Sequence, residues 1–241
     1  DMRIDQRNSG NTVTSSSSFV TDRFSFWGST ASKVTLQQNA GSVTPPSGFK
    51  NYLGVTTSSA YTPTGSDYFF IQQGIEGYNI ADLGWGTAYA QPVTLSFWVR
   101  SSVVGLHGGT LQNGGQDRVY PFVYAINTAD TWERKIINIP GDVTGTWSST
   151  TAAGIYLNFS FGMGPSRCLS AGSWSGTSSI FSATGAVSPV ATGAATWYVT
   201  GVQLEKGSVA TPFEFRPIGV EDQLCRRSVS YTHLRAHETL R

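Results

Sequence analysis

A catalytic reading of this chain needs a nucleophile, a base and a group that orients the base, and the residue types supply little of it. Gly172-Ser173-Trp174-Ser175-Gly176 has the outline of a nucleophile elbow, but Trp stands where the serine must be. His107 is the sole histidine before residue 228. Its setting, Leu106-His107-Gly108-Gly109, reads as a loop. The carboxylates Glu76, Asp82, Asp117, Asp130, Glu133 and Asp142 are spread singly. None forms the close pair that shares acid and base work in glycoside hydrolysis, although folding can unite distant ones. No catalytic residue is therefore assigned, and the expectation is that the chain is not an enzyme. Calcium takes six to eight oxygens, often from backbone carbonyls that a sequence does not reveal. No cofactor is expected, a structural calcium stays open, and no metal ligand is assigned.

Binding chemistry is better represented. Sugars are held by flat aromatic faces against their C–H surfaces, while polar side chains pick out hydroxyls. In the run Val93–Arg100 the odd positions Val93, Leu95, Phe97 and Val99 are apolar, which turns Ser96, Trp98 and Arg100 outward. Ile155–Phe161 repeats the pattern, with Tyr156 and Asn158 outward. Those two pairs make one patch if their strands are neighbours in one sheet. Trp85, inside Leu83-Gly84-Trp85-Gly86-Thr87, is a loop aromatic and a second candidate. The candidate ligand-binding residues are thus Trp98, Arg100, Tyr156, Asn158 and Trp85. Plainer readings stand beside them: Trp98 covered by a loop or a neighbouring subunit, Trp85 anchoring its own loop. Arg100, Tyr156 and Asn158 tip the balance toward a sugar, because an apolar interface would have to desolvate them.

Short alternating strands must position these residues. Besides 93–100 and 155–161, strands are expected over 33–38, 67–73, 118–126, 134–139 and 197–205, separated by turn clusters such as Pro45-Pro46-Ser47-Gly48 and Asn113-Gly114-Gly115. Leu95, Phe97, Leu157, Phe159, Val202 and Leu204 are expected in the core. Ser173–Thr196, rich in Ser, Ala and Gly, reads as a long surface loop. No amphipathic helix is evident. Of the 241 residues 39% are hydrophobic and only 13% charged, with 27 glycines and a net charge of +1. That composition excludes a coiled coil, a disordered chain and an electrostatic nucleic-acid binder. No apolar run reaches membrane-spanning length. The expected fold class is all-β, a two-sheet antiparallel jelly-roll sandwich. Cys168 and Cys225 read as two free thiols.

Both ends are unusual. Asp1 enters directly into apparent structure, so the chain is expected to be a fragment of a longer polypeptide. After Arg227 the composition switches, and two of three histidines fall in the last nine positions. Ser228–Thr239 matches, residue for residue, one reading frame of a transposase mosaic-end sequencing adapter. The expected division is therefore 1–227 as a single sandwich and 228–241 as non-native. Without the tail, 14 basic residues face 14 acidic ones.

The opening Asp1-Met2-Arg3-Ile4-Asp5-Gln6-Arg7, followed by Asp22-Arg23-Phe24, is similar to the "NGD-x-x-x-x-QR … DRW" opening of a family of bacteriophage tail-fibre and tail-appendage proteins. Gln72–Gly77, Val93–Arg100, Thr131-Trp132-Glu133, Ile139–Asp142, Thr200–Gly207 and Ala210–Glu214 fit it in order. Leu224-Cys225-Arg226-Arg227 fits as well, where the family continues "CQRYY". The resemblance implies a jelly roll like that of galactose-binding and carbohydrate-binding modules, carried on an extracellular virion tail. It implies a non-enzymatic module that binds host cell-envelope glycans for receptor recognition. Other virion proteins are implied partners, a homo-oligomer stays open, and neither nucleic acid nor membrane insertion is expected. The alternatives are a purely structural virion domain, or a carbohydrate-binding module attached to a hydrolase outside this chain.

Overall fold

Alternation of apolar and polar residues resolves into two antiparallel sheets packed face to face. The computed structural model describes residues 1–226. Its strands, in chain order, are β1 Ser18–Thr21, β2 Phe24–Gly28, β3 Val34–Gln38, β4 Leu53–Thr57, β5 Tyr68–Glu76, β6 Val93–Ser101, β7 Gly105–Asn113, β8 Val119–Ile126, β9 Glu133–Ile139, β10 Ala153–Met163, β11 Cys168–Leu169, β12 Ser182–Ala183 and β13 Thr196–Lys206. One sheet runs β1-β2-β5-β10-β7-β8 and the other β3-β4-β13-β6-β9, while β11 and β12 form a short parallel pair. This is a jelly-roll sandwich.

The core lies between the inner faces. Phe97 of β6 meets Phe159 of β10 edge to face, ring centroids 4.9 Å apart. Trp197 of β13 packs on Phe159 and Phe161, and its indole N–H donates to the Tyr124 hydroxyl at 3.0 Å. Leu95, Phe97, Leu157 and Phe159 are all buried, as their strand faces require. Val202 and Leu204 are only partly buried. The β13–β6 register slips between Thr200 and Gln203, around Gly201 at φ 59, so the strand's far half leaves the strict alternation that predicted them inside.

Three further expectations are corrected. His107 is not in a loop: it lies in β7, fully buried, stacked on Tyr124 with centroids 5.6 Å apart. The glycines beside it are there for close packing, since a Cβ at Gly109 would meet the Asn158 carbonyl and the Phe122 ring. The Ser173–Thr196 stretch is largely irregular, yet its middle is not at the surface. Ile180, Ser182 and Ala183 are buried against the outer face of the six-stranded sheet. Gly108 and Gly162 leave the room, because side chains there would strike Ser182 and Val190. Finally, a helix spans 218–226 and buries Cys225. It is tied to the start of the chain by Arg23–Glu221 at 3.4 Å and by Gln6 donating to Asp222 at 3.2 Å. Among the described residues no helix is long and apolar enough to cross a membrane. The tail 228–241 lies outside the described residues.

Candidate ligand-binding site

The five residues singled out from the sequence fall in three places. Trp98 and Arg100 lie on the outer face of the five-stranded sheet. Trp98 is half-buried, between Thr200 of β13 and Arg134 of β9 in the ladder. Arg100 is committed: its Nε donates to the Asp130 carbonyl at 2.9 Å, and its Nη1 pairs with Asp130 Oδ1 at 3.0 Å. The guanidinium also lies 5.5 Å over the Tyr198 ring. Tyr156 and Asn158 belong to β10, in the other sheet, and face the opposite side of the molecule. Period-2 alternation says which side of its own sheet a residue faces, and nothing about which sheet that is. The single patch is therefore not formed.

Trp85 is buried in a cluster of three indoles with Trp147 and Trp174, centroids 4.6 and 5.3 Å away. Each indole N–H donates to a backbone carbonyl: Trp85 to Gln91, Trp147 to Thr144 and Trp174 to Pro140. Beside the cluster, Arg118 grips Asp142 with two hydrogen bonds of 2.7 and 2.9 Å. Donating to the Asp142 carboxylate holds the Arg118 pKa above its ordinary value. These contacts pin the loops at one end of the sandwich.

Around Asn158 the outer face of the six-stranded sheet carries a chain of amides. Gln72 Nε2 donates to Asn158 Oδ1 at 3.0 Å, and Asn158 Nδ2 donates to both Thr110 Oγ1 and Gln112 Oε1 at 2.9 Å. Gln112 in turn donates to the Ile180 carbonyl at 2.6 Å, fastening the covering segment. Asn158 is fully buried, so its place is beneath a site and not at its surface. Tyr156 lies in the next row, its ring over Gly74, half-exposed.

Where the covering segment stops short, a cavity of about 230 Å³ opens, lined by Trp27, Tyr68, Phe70, Gln72, Gln116, Arg167, Ser179 and Phe181. Trp27, Phe70 and Phe181 stand as nearly parallel plates: Phe70 is stacked on Phe181 at 4.5 Å and on Trp27 at 6.5 Å. Trp27 Nε1 is held by Ser25 Oγ at 3.0 Å, which fixes its plane. Gln116 is delivered by the β7–β8 hairpin in a left-handed conformation, φ 56. Asn113 anchors that turn, accepting from the backbone N–H groups of Asp117 and Arg118 at 3.0 Å each. Trp27 and Gln72 also border a broader trough that reaches Gly74 and Tyr156. Flat rings and a fixed amide, that of Gln72, in one recess can take up a sugar ring.

The sequence reading missed Trp27, Gln72, Phe181 and Arg167. Trp27 carried the usable signal, because Phe24-Ser25-Phe26-Trp27 alternates as clearly as the run around Trp98. Among the described residues no group of three His, Cys, Asp or Glu could hold a metal ion.

No family model matches the chain, and no curated protein matches its sequence. Solved structures do. The enzymatically active domain of tailspike protein 4 from bacteriophage CBA120 is 11% identical, with a TM-score of 0.43; the match covers 79% of this chain and 20% of that one. This chain thus spans a fifth of the length of that protein. The family 11 carbohydrate-binding module of the cellulase Lic26A-Cel5E from Clostridium thermocellum is 12% identical, with a TM-score of 0.37, over 85% of this chain and 99% of that one. TmCBM61, solved with β-1,4-galactotriose, is 9% identical at a TM-score of 0.37, over 76% and 88%.

Proposed function

We propose that this chain is a non-catalytic glycan-binding module whose ligand lies on the outer face of the six-stranded sheet. The observation that carries the reading is the cavity itself, with the aromatic plates of Trp27, Phe70 and Phe181 standing beside Gln72 and Gln116. Tyr156, one row along, extends the aromatic surface toward a second sugar ring. Asn158 supports the site from below by fixing Gln72. The ordered motifs shared with phage tail appendages support the finer reading, a virion tail module that recognises host cell-envelope glycans. Each site is small and binds weakly, and repeated copies on a tail supply the affinity through effective concentration.

A glycan array probed with the full chain tests the reading. Trp27→Ala is expected to abolish binding while the domain stays folded, because the half-buried indole mainly walls the cavity. Trp98→Ala is expected to leave binding intact. Loss of binding in Trp98→Ala alone would move the site to the other sheet. A folded chain that retains no glycan would favour a purely structural virion role.

A further inference from the structure

Among the described residues that line the cavity, Arg167 carries the only formal charge. Two backbone carbonyls hold its guanidinium: Nε donates to Ser66 at 3.1 Å and Nη1 to Ser179 at 3.3 Å. The rings of Tyr68 and Phe181 lie 5.8 Å from its Cζ. Nη2 makes no hydrogen bond among the described residues, and neither does Arg167 form an ion pair there. Six other arginines do: Arg3, Arg23, Arg100, Arg118, Arg216 and Arg226 each meet a carboxylate. Asp67, adjacent in sequence to Ser66, spends its oxygens on Ser29, Tyr61 and Thr64 instead. The cavity thus contains a fixed cation, oriented by neutral groups, without the anion that would balance it.

A guanidinium partly screened from water by aromatic rings favours an anionic oxygen more strongly than one in bulk solvent. Its orientation is already set by the two carbonyls, so little side-chain entropy remains to be lost on binding. We infer that the site selects an acidic glycan: a sugar carrying a carboxylate or a phosphate placed on Arg167 Nη2, with its ring against the aromatic plates. The inference rests on the glycan-binding reading above and specifies the chemical class of its ligand.

The experiment uses the full chain on an array of neutral, uronate-bearing, sialylated and phosphorylated glycans. Titration then compares the best-bound acidic glycan with its methyl-esterified or dephosphorylated form, which also separates carboxylate from phosphate. The acidic form is expected to bind roughly tenfold or more tightly, with the gap narrowing as salt is raised. Arg167→Gln should close that gap by weakening the acidic form far more than the neutral one. Arg167→Lys keeps the charge and should keep part of the preference, which guards against a folding defect in the glutamine variant. Trp27→Ala should weaken both forms alike. Equal binding of charged and neutral forms, or an Arg167→Gln loss shared equally by both, would overturn the acidic preference while glycan binding stands. Failure of every glycan to bind would overturn both readings.

Discussion

The imidazole of His107 lies between the Tyr124 ring and the β6–β7 turn, with Nε2 at 2.8 Å from the Val103 carbonyl. Burial pushes its pKa below the ordinary histidine value; the Val103 contact opposes that shift and the Lys135 charge adds to it. Nδ1 is buried without a partner. The ring is therefore neutral in the fold, and the unfolded chain binds a proton that the folded chain refuses. Stability from this residue is complete above the unfolded pKa of about 6.5 and falls as pH drops from there toward the lower folded value. The His107 share of the urea midpoint should be level above neutral pH and decline as pH falls below the unfolded value. In His107→Gln that part of the decline should be absent. The sequence offered no sign of this, because Leu-His-Gly-Gly is turn composition and only the contacts of Gly109 explain it as strand.

At the level of elements, the strands with bulky alternation were legible. The runs over 93–100, 118–126 and 155–161 fall where their side chains placed them, because one face of each had a core to fill. β1, β4 and β7 were not, since Ser, Thr and Gly in them pack against neighbours that only the folded topology supplies. The same limit hid the site. Outward residues could be named on each strand, but Gln72, Asn158 and Gln112 become a connected row only once β5, β10 and β7 lie side by side. That row should behave as a unit. Asn158→Ala would leave the inner ends of Gln72 and Gln112 unpaired, at a cost of about 2 kcal/mol by chemical denaturation. It should also speed amide hydrogen exchange around Ile180, whose carbonyl is held by Gln112. Phe159→Ala, on the other face of the same strand, should cost about 3–5 kcal/mol without changing that local exchange pattern. Equal effects on exchange would mean that the amide row does not fasten the covering segment.

Across the whole molecule, the first residues of the chain meet the last described ones. After β13 the segment 208–217 crosses the outer face of the five-stranded sheet. Arg134 donates to the Thr211 carbonyl at 2.7 Å, and the Glu214 N–H donates to Gln203 at 2.8 Å. Phe213 and Phe215 each pack on Phe49 with centroids 5.1 Å apart. The helix over 218–226 then buries Cys225, and the Arg216 backbone carbonyl accepts a hydrogen bond from the Arg3 guanidinium at 2.8 Å. This strap closes the sandwich over Phe49 and the N-terminal turn. Ending the chain at Lys206 would expose those apolar surfaces, and the expected loss is on the order of 3 kcal/mol. Ending it at Arg227 removes only the stretch that reads as adapter sequence, and the melting temperature should not move. A fall of several degrees on removing 228–241 would mean that the tail contributes to the fold and would sink the adapter reading. An unchanged melting temperature for the Lys206 version would instead show that the strap lies on the sheet without supporting it.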